Sequence, residues 1–133
     1  MSHFEKIRNV TIFNNLTVNP TQWESRPTLY FDPDEIVVRQ ITYNGALRQD
    51  GVYLIWCSVT NDYIGSFSIY EGSGFTSAGV NVTPNTCLQC LPNSTLQGMR
   101  FQIHTVNGSN QLVPTNVLTG TIVLNLDFIS RKH

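Results

Sequence analysis

The chain has few charged side chains, and this scarcity limits the partners that it can attract. Asp, Glu, Lys and Arg make up 13% of its 133 residues, against about 25% in an average globular protein. The formal net charge is -1, whereas nucleic acids and anionic lipids attract proteins through clustered Lys and Arg. We therefore expect no nucleic-acid binding and no binding to membrane surfaces.

Lysine is nearly missing, which bears on how the edges of a β-sheet would be protected. The only lysines, Lys6 and Lys132, lie near the two termini. Edge strands in natural sheets commonly carry lysine, because a charge there opposes edge-to-edge association. The sequence therefore predicts edges that are covered, either by loops of the same chain or by neighbouring subunits.

The sequence also lacks a long apolar run. No stretch approaches the roughly 18 apolar residues of a membrane span. The opening residues 1–6 are not followed by the apolar core of a signal peptide. We expect no membrane insertion, and synthesis in the cytoplasm without a signal peptide.

Residues suited to catalysis are sparse. His3 and His133 lie at the termini and His104 stands alone in a polar alternation, so the sequence suggests no nucleophile with a neighbouring base. We predict that the protein is not an enzyme, with no catalytic residue, no metal ion and no cofactor. A small hydrolase that uses paired carboxylates is the alternative from the enzyme class.

The three cysteines, an odd number, do not make a disulfide framework. Cys87 and Cys90 have the Cys-x-x-Cys spacing of zinc ligands and redox dithiols, but a structural zinc site needs four ligands. Cys57 and His104 do not supply a second close pair. A zinc pair, a loop disulfide and ordinary thiols all stay open for Cys87 and Cys90, and Cys57 is predicted to be a small buried hydrophobe.

Acidic residues gather around Pro33, where Asp32, Asp34 and Glu35 offer oxygen atoms of the kind that bind Ca²⁺. Their spacing lacks the alternating ligands and the mid-loop glycine of a calcium loop. Asp-Pro-Asp is a strong turn former. The sequence therefore favours a turn over an ion site.

Short apolar segments separated by turn signals fill the chain, and no window shows a capped helical pattern. Residues 51–59 carry apolar side chains on both parities, which predicts a central strand that is covered on both faces. The predicted strands span residues 9–18, 28–31, 36–43, 51–59, 63–70, 75–82, 99–104 and 121–129. We predict an all-β antiparallel sandwich or small barrel as one domain over residues 1–133, with 1–20 as an N-terminal arm or edge strand.

Two places are candidates for binding. Trp23 and Phe4 are candidate anchors of a subunit interface, since aromatic residues are enriched there; for Trp23 the alternative is the rim of the core. The long irregular segment Thr83–Gln97 is the candidate binding loop, with Asn85, Thr86 and Asn93 as its site residues. Aromatic rings elsewhere in the chain could stack on sugars.

Residues 36–45, 50–57 and 120–129 resemble small β-sandwich virion proteins of double-stranded DNA viruses that infect protists, and of their virophage and polinton-like relatives. The resemblance implies a jelly-roll sandwich of about eight strands. It also implies a place in the virion as a minor capsid, vertex or spike component, with other capsid proteins as partners. It transfers no functional residue. Major capsid proteins of that lineage carry two sandwiches, so a chain of 133 residues is too short for that role.

The leading hypothesis from the sequence is a non-enzymatic virion structural protein that forms a symmetric homo-oligomer, a trimer or a pentamer. The alternative is a receptor- or glycan-binding head domain of lectin-like or TNF-like type, with the Thr83–Gln97 loop at its site.

Overall fold

The computed structural model describes residues 4–19, 21–45, 51–69, 76–78, 87–92, 98–115 and 120–132, and every regular element among them is a β-strand. The strands are β1 (Phe4–Asn15), β2 (Gln22–Ser25), β3 (Glu35–Gly45), β4 (Gly51–Cys57), β5 (Asp62–Ile69), β6 (Thr76–Ala78), β7 (Cys87–Gln89), β8 (Met99–Val106), β9 (Leu112–Pro114) and β10 (Thr121–Lys132). They form two antiparallel sheets that enclose one core. The predicted all-β antiparallel sandwich is confirmed.

The strand order identifies a jelly roll. The first sheet has the order β1-β10-β3, with β6 and β7 paired to opposite ends of the far side of β3. The second sheet has the order β2-β8-β4-β5, and β9 extends it beside β8. Counted inward from the two ends of the chain, the strands pair as β1 with β10, β2 with β8, β3 with β6 and β7, and β4 with β5. This nesting is a long hairpin rolled into two sheets, which is the pairing of a jelly roll.

The predicted strands are mostly present, with one strand wrongly placed before Glu35 and two short strands missed: β7 lies within the segment Thr83–Gln97 that was predicted to be irregular, and β9 was not predicted. Residues 28–31 were predicted to form a strand, but residues 26–31 are irregular, and the strand in this region is β2. Pro27 explains the break, because proline removes a ladder donor and fixes its own backbone angle. Trp23 instead anchors β2, with its ring stacked on Phe101 of β8 at a centroid distance of 5.4 Å. Of the predicted strand 75–82, Thr76–Ala78 is a strand, and the remaining residues lie outside the described ranges.

The core lies between the two sheets and is built by alternating side chains. On β10, Ile122, Leu124, Leu126 and Phe128 are fully buried, as the alternation of that segment predicts. Phe67 of β5 stacks on Tyr43 and Tyr53, with centroid distances of 5.3 and 5.4 Å. Because Tyr43 belongs to the first sheet and Tyr53 to the second, this aromatic stack joins the two layers.

The prediction that residues 51–59 are covered on both faces is wrong. β4 does lie inside its sheet, between β5 and β8, and its side chains Tyr53, Ile55 and Cys57 enter the core. Its other face is only partly covered: Val52 is 45% exposed, and Leu54 and Trp56 are half-buried. A two-layer sandwich buries one face of each sheet, so the apolar outer face of β4 points away from the core.

Two β-bulges shift the alternation that the sequence predicts. Between β3 and β10 the register slips after Asn125, so that Arg39 is the extra residue and both Arg39 and Gln40 point outward. Between β4 and β5 the slip makes Ile64 the extra residue. Plain alternation along the predicted strand 63–70 would place Ile64 on the same face as Ser66, but the bulge turns it inward, and it is buried with Phe67.

Candidate functional site

The free edge of β1 carries apolar side chains that the fold does not cover. β1 is twelve residues long and forms the end of the first sheet, and no other described strand pairs with its outer side. Ile7 and Phe13 point outward from this strand and are 54% and 63% exposed. A long strand edge flanked by exposed apolar residues is a surface that can pair with another chain. We call the outer side of residues 7–13 the β1 edge.

The hydrogen-bond pattern shows which residues of β1 offer their backbone to this edge. The Leu16 amide donates to the Gly120 carbonyl at 2.8 Å, one step beyond the paired residues Asn15 and Thr121. Since antiparallel pairs alternate between bonded and non-bonded types, the even residues of β1 bond to β10. The odd residues from 7 to 13 therefore direct their N–H and C=O groups to the β1 edge.

A polar network on the outer face of the first sheet joins β1 to its neighbours. The Asn9 side-chain amide donates to the carboxylate of Asp127 at 2.8 Å and to the Asn125 side-chain oxygen at 2.9 Å. Asn125 donates in turn to Asn9 and to the Thr11 hydroxyl. Arg39 Nε donates to Asp127 Oδ2 at 2.6 Å. The β3 bulge places Arg39 over Asp127, so one carboxylate connects three strands.

The electrostatics of this network favour an ionised Asp127. Burial opposes ionisation, but the hydrogen bonds from Asn9 and Arg39, together with the charge of Arg39, outweigh it and hold the pKa of Asp127 below its ordinary value. A lowered pKa in the folded state contributes stability at neutral pH. That contribution disappears as the pH falls from about 4 through the lowered pKa.

Asp127→Asn is therefore expected to lower the free energy of unfolding by about 1 kcal/mol at pH 7. The Arg39 side chain is 43% exposed, so solvent screening keeps the effect below that of a fully buried pair. The difference between wild type and variant should be smaller at pH 3 than at pH 7, because the contribution is lost as the pH falls through the lowered pKa, and urea unfolding at both pH values measures it. Asp32→Asn, at an exposed carboxylate, is the control and should change little. A difference that is equal at both pH values would contradict the assigned role of the charge.

The outer face of the second sheet carries a second set of half-buried aromatic and polar side chains. Trp56 lies opposite Gln102 of β8 and Tyr63 of β5. The Tyr63 ring meets the His104 ring edge-on at 5.3 Å, and His104 Nε2 lies 3.0 Å from the Gln102 side-chain oxygen. Burial lowers the pKa of His104, so its ring is neutral at pH 7. We call Trp56, Tyr63, Gln102 and His104 the aromatic patch.

The structure places the predicted site residues apart from one another. Trp23 is 8% exposed and packs in the core, so its role in an interface stays a prediction that this burial does not support. The backbone of Phe4 begins β1 opposite Lys132, and its side chain lies outside the described part of the structure. Asn85, Thr86 and Asn93 also lie outside it. Ile7 and Phe13 were not among the predicted site residues, although their equal parity in a strand was the available signal.

The cysteines differ in their surroundings. Burial raises the pKa of Cys57 to about 11, and burial followed by the nearby Cys57, Asp34 and Glu35 raises that of Cys90 to about 12. Cys87 is exposed beside β3, whereas Cys90 packs against the core. Within the described residues, no group of three or more His, Cys, Asp or Glu side chains could hold a metal ion. Cys57 is a small buried hydrophobe, as predicted.

The acidic segment at Pro33 is bent, irregular backbone that leads into β3. The Asp34 amide donates to the Ile129 carbonyl, and its carboxylate accepts the Arg131 amide, both at 2.8 Å. The Asp34 carbonyl accepts the Cys90 amide at 2.9 Å. These bonds tie the start of β3 to β10 and to the end of β7, and residues 30–34 are bends and irregular backbone in place of the predicted turn. No helix in the described ranges is long and apolar enough to cross a membrane.

Comparison with known proteins gives loose similarities in structure. No protein-family model and no curated protein sequence matches the chain. The mavirus penton protein aligns with 97% of this chain over 100% of its own length, at 8% identity and a TM-score of 0.37. A family two carbohydrate esterase from Cellvibrio japonicus aligns with 95% of this chain over 35% of its own length, at 13% identity and a TM-score of 0.21. Both TM-scores are below 0.5, so any function must rest on the strand order and the surface residues of the chain itself.

Proposed function

We propose that the protein is a non-enzymatic structural subunit of a virus particle, a minor capsid, vertex or spike component that works as a symmetric homo-oligomer of three or five copies. The observation that carries the proposal is a jelly roll whose long edge strand β1 exposes Ile7 and Phe13. Viral capsid proteins and lectins are two large classes built on jelly rolls. Fold alone does not determine function, so the surface residues are needed to distinguish a capsid role from a lectin role.

The surface supports assembly because several of the described acidic groups are engaged in contacts within the fold. Asp127 is bonded to Asn9 and Arg39, and Asp34 accepts the Arg131 amide. Glu24 pairs with Arg26 at 2.8 Å on the exposed side of β2. Ile7 and Phe13, by contrast, are apolar side chains that stay largely exposed on the outer face of β1. A protein that acts through contact surfaces is expected to keep such residues.

Mass spectrometry of purified virus particles from a culture that expresses this gene tests the virion role. The proposal predicts that the chain is present in intact, nuclease- and detergent-washed particles, at a constant copy number relative to the major capsid protein. Native mass spectrometry of the purified chain should give a closed cyclic oligomer of three or five copies, alone or joined in pairs. A chain that is abundant in infected cells but missing from washed particles would overturn the proposal.

The aromatic patch favours a second candidate, a glycan-binding head that is attached to the same particle. Aromatic rings beside side-chain amides suit a sugar, because the ring covers its apolar face and the amide bonds its hydroxyls. Trp56 and Gln102 supply this pair on neighbouring strands. On a glycan array, Gln102→Ala should remove any signal of the wild type, while Gln111→Ala, on an exposed turn, should keep it. No signal for the wild type would remove this candidate.

A further inference from the structure

We infer that two copies of this chain join through their β1 edges, antiparallel and about a two-fold axis at Val10, so that the first sheets of both copies form one continuous sheet. The inference rests on the proposed function only for its setting in a particle; the contact itself follows from the geometry of β1. The occupant of the β1 edge is therefore a second copy of the chain.

The backbone of the β1 edge permits this pairing. The odd residues from 7 to 13 direct their N–H and C=O groups outward, as the Leu16 to Gly120 bond establishes for the strand. Two such edges can exchange hydrogen bonds only between odd residues of one copy and odd residues of the other. The two-fold axis must therefore pass through a residue position, such as Val10, and not between two residues. With the axis at Val10, residues 7, 9, 11 and 13 of each copy form about eight hydrogen bonds.

The side chains select the axis at Val10 from among these registers. In this register Ile7 lies opposite Phe13 of the second copy on the outer face, twice by symmetry, so the two exposed apolar residues of β1 cover each other. Aromatic and β-branched residues make favourable cross-strand pairs. Asn9 lies opposite Thr11. An axis moved to Asn9 would instead place Glu5 opposite Phe13 and leave the apolar residues unmatched.

The charges agree with the same register. The charged residues of β1 all lie before Asn9, and an antiparallel partner places its uncharged half against them. Lys6 then lies opposite Asn14, and Arg8 lies opposite Ile12. An axis moved toward the start of the strand, at Lys6 or Ile7, would bring Lys6 or Arg8 of the two copies together, and like charges across a strand pair repel.

The contact is isologous, and this determines how many chains it can join. The same residues of both copies meet, so the contact closes on itself and joins two chains only. It therefore forms a dimer from single chains, and between cyclic trimers or pentamers it links one oligomer to the next. A single strand pair is a small interface by the standard of about 1,000 Å² for stable complexes, so repetition in an assembly would strengthen it.

Disulfide trapping across the axis tests the register. Single cysteines are introduced at Asn9, Val10 and Thr11 in a chain in which the exposed Cys87 is replaced by Ser, and each protein is oxidised mildly and run on a non-reducing gel. Val10→Cys lies opposite itself in a non-bonded pair, with Cα atoms about 4.5 Å apart, within disulfide range. Asn9→Cys and Thr11→Cys each lie diagonally across from the same position in the second copy, with Cα atoms about 8 to 9 Å apart.

The expected result is at least about fivefold more linked dimer for Val10→Cys than for either neighbour, since Cα atoms more than about 7 Å apart are not bridged. Adding Thr11→Pro to Val10→Cys should abolish the linked dimer, because proline removes a donor from the β1 edge. Equal linkage at all three positions, or linkage that survives Thr11→Pro, would overturn the inference.

Failure of the trapping can be told apart from failure of the proposed function. Circular dichroism of each cysteine variant reports whether it is folded, and Thr11→Cys serves as a folded comparison if Val10→Cys is not. A wild-type chain that stays oligomeric by native mass spectrometry but shows no linkage would sink the β1 contact and leave the virion proposal standing. A chain present in virus particles that binds a different protein at Ile7 and Phe13 would do the same.

Discussion

Phe67→Ala is expected to lower the free energy of unfolding by about 4 kcal/mol, a large part of the 5 to 15 kcal/mol that is typical of a domain. Phe67 is fully buried and stacks on Tyr43 of the first sheet and on Tyr53 of the second. Removing its ring leaves a cavity between the two layers and ends both stacking contacts. Urea unfolding followed by tryptophan fluorescence measures the change.

Phe13→Ala is the matched control for that experiment, because it removes the same ring from a side chain that is 63% exposed. It should change the free energy of unfolding of the single chain by less than about 0.5 kcal/mol. Equal losses for the two variants would mean that the stack of Phe67 does not join the sheets. A loss for Phe13→Ala that grows with protein concentration would instead report its contact with a second copy.

Proline at adjacent positions of β1 should destabilise the fold to very different extents. Val10→Pro removes an amide that bonds to β10, leaves the Leu126 carbonyl without its donor and is expected to cost about 3 kcal/mol. Thr11→Pro removes an amide that faces the β1 edge, a position where edge strands tolerate proline. It should cost the single chain less than about 1 kcal/mol.

Thermal unfolding at low protein concentration separates the two proline variants. A large fall in the melting temperature for Val10→Pro with a small one for Thr11→Pro is the expected outcome. The reverse order would show that the odd residues of β1 bond to β10, and the β1 edge would then lack the backbone groups that a second copy needs.

The sequence predicts the layers of this fold better than the details within each strand. β10 alternates between partly buried and buried side chains from Thr121 to Leu126, because a strand between two partners keeps its side-chain period of two. From Leu126 to Ser130 both faces are buried. The bulges at Arg39 and Ile64 break that period. Gly65 follows Ile64 and is the kind of strand glycine that often marks a bulge, whereas no glycine or proline marks the bulge at Arg39. The position of a bulge depends on the register between two paired strands, and the local sequence does not encode that register.

The position of Lys6 shows why the scarcity of lysine predicted the protection of the sheet edges only in part. The sequence predicts covered edges from the lack of internal lysines, yet Lys6 lies on β1, the strand at the end of the first sheet. The charges protect only the first part of this strand, since Asn9–Asn15 carries none. A lysine near a terminus in sequence can still lie on an edge, because the jelly roll places β1 there.

The polar network and the β1 edge could not be found from sequence spacing. Asn9 and Asp127 are 118 residues apart, and Arg39 and Asp127 are 88 apart. Only the pairing of the first strand with the last brings them together. The exposed positions of Ile7 and Phe13 follow from the same pairing, because it sets which parity of β1 faces the core.

Sedimentation velocity of the full chain at concentrations on the order of tens of micromolar tests the central claim, that this protein works through contacts between its own copies. The predicted result is a closed oligomer for the wild type, in which Phe13→Lys weakens association while its circular dichroism spectrum stays unchanged. A wild type that sediments as a monomer at every concentration, with Phe13→Lys indistinguishable from it, would contradict the account.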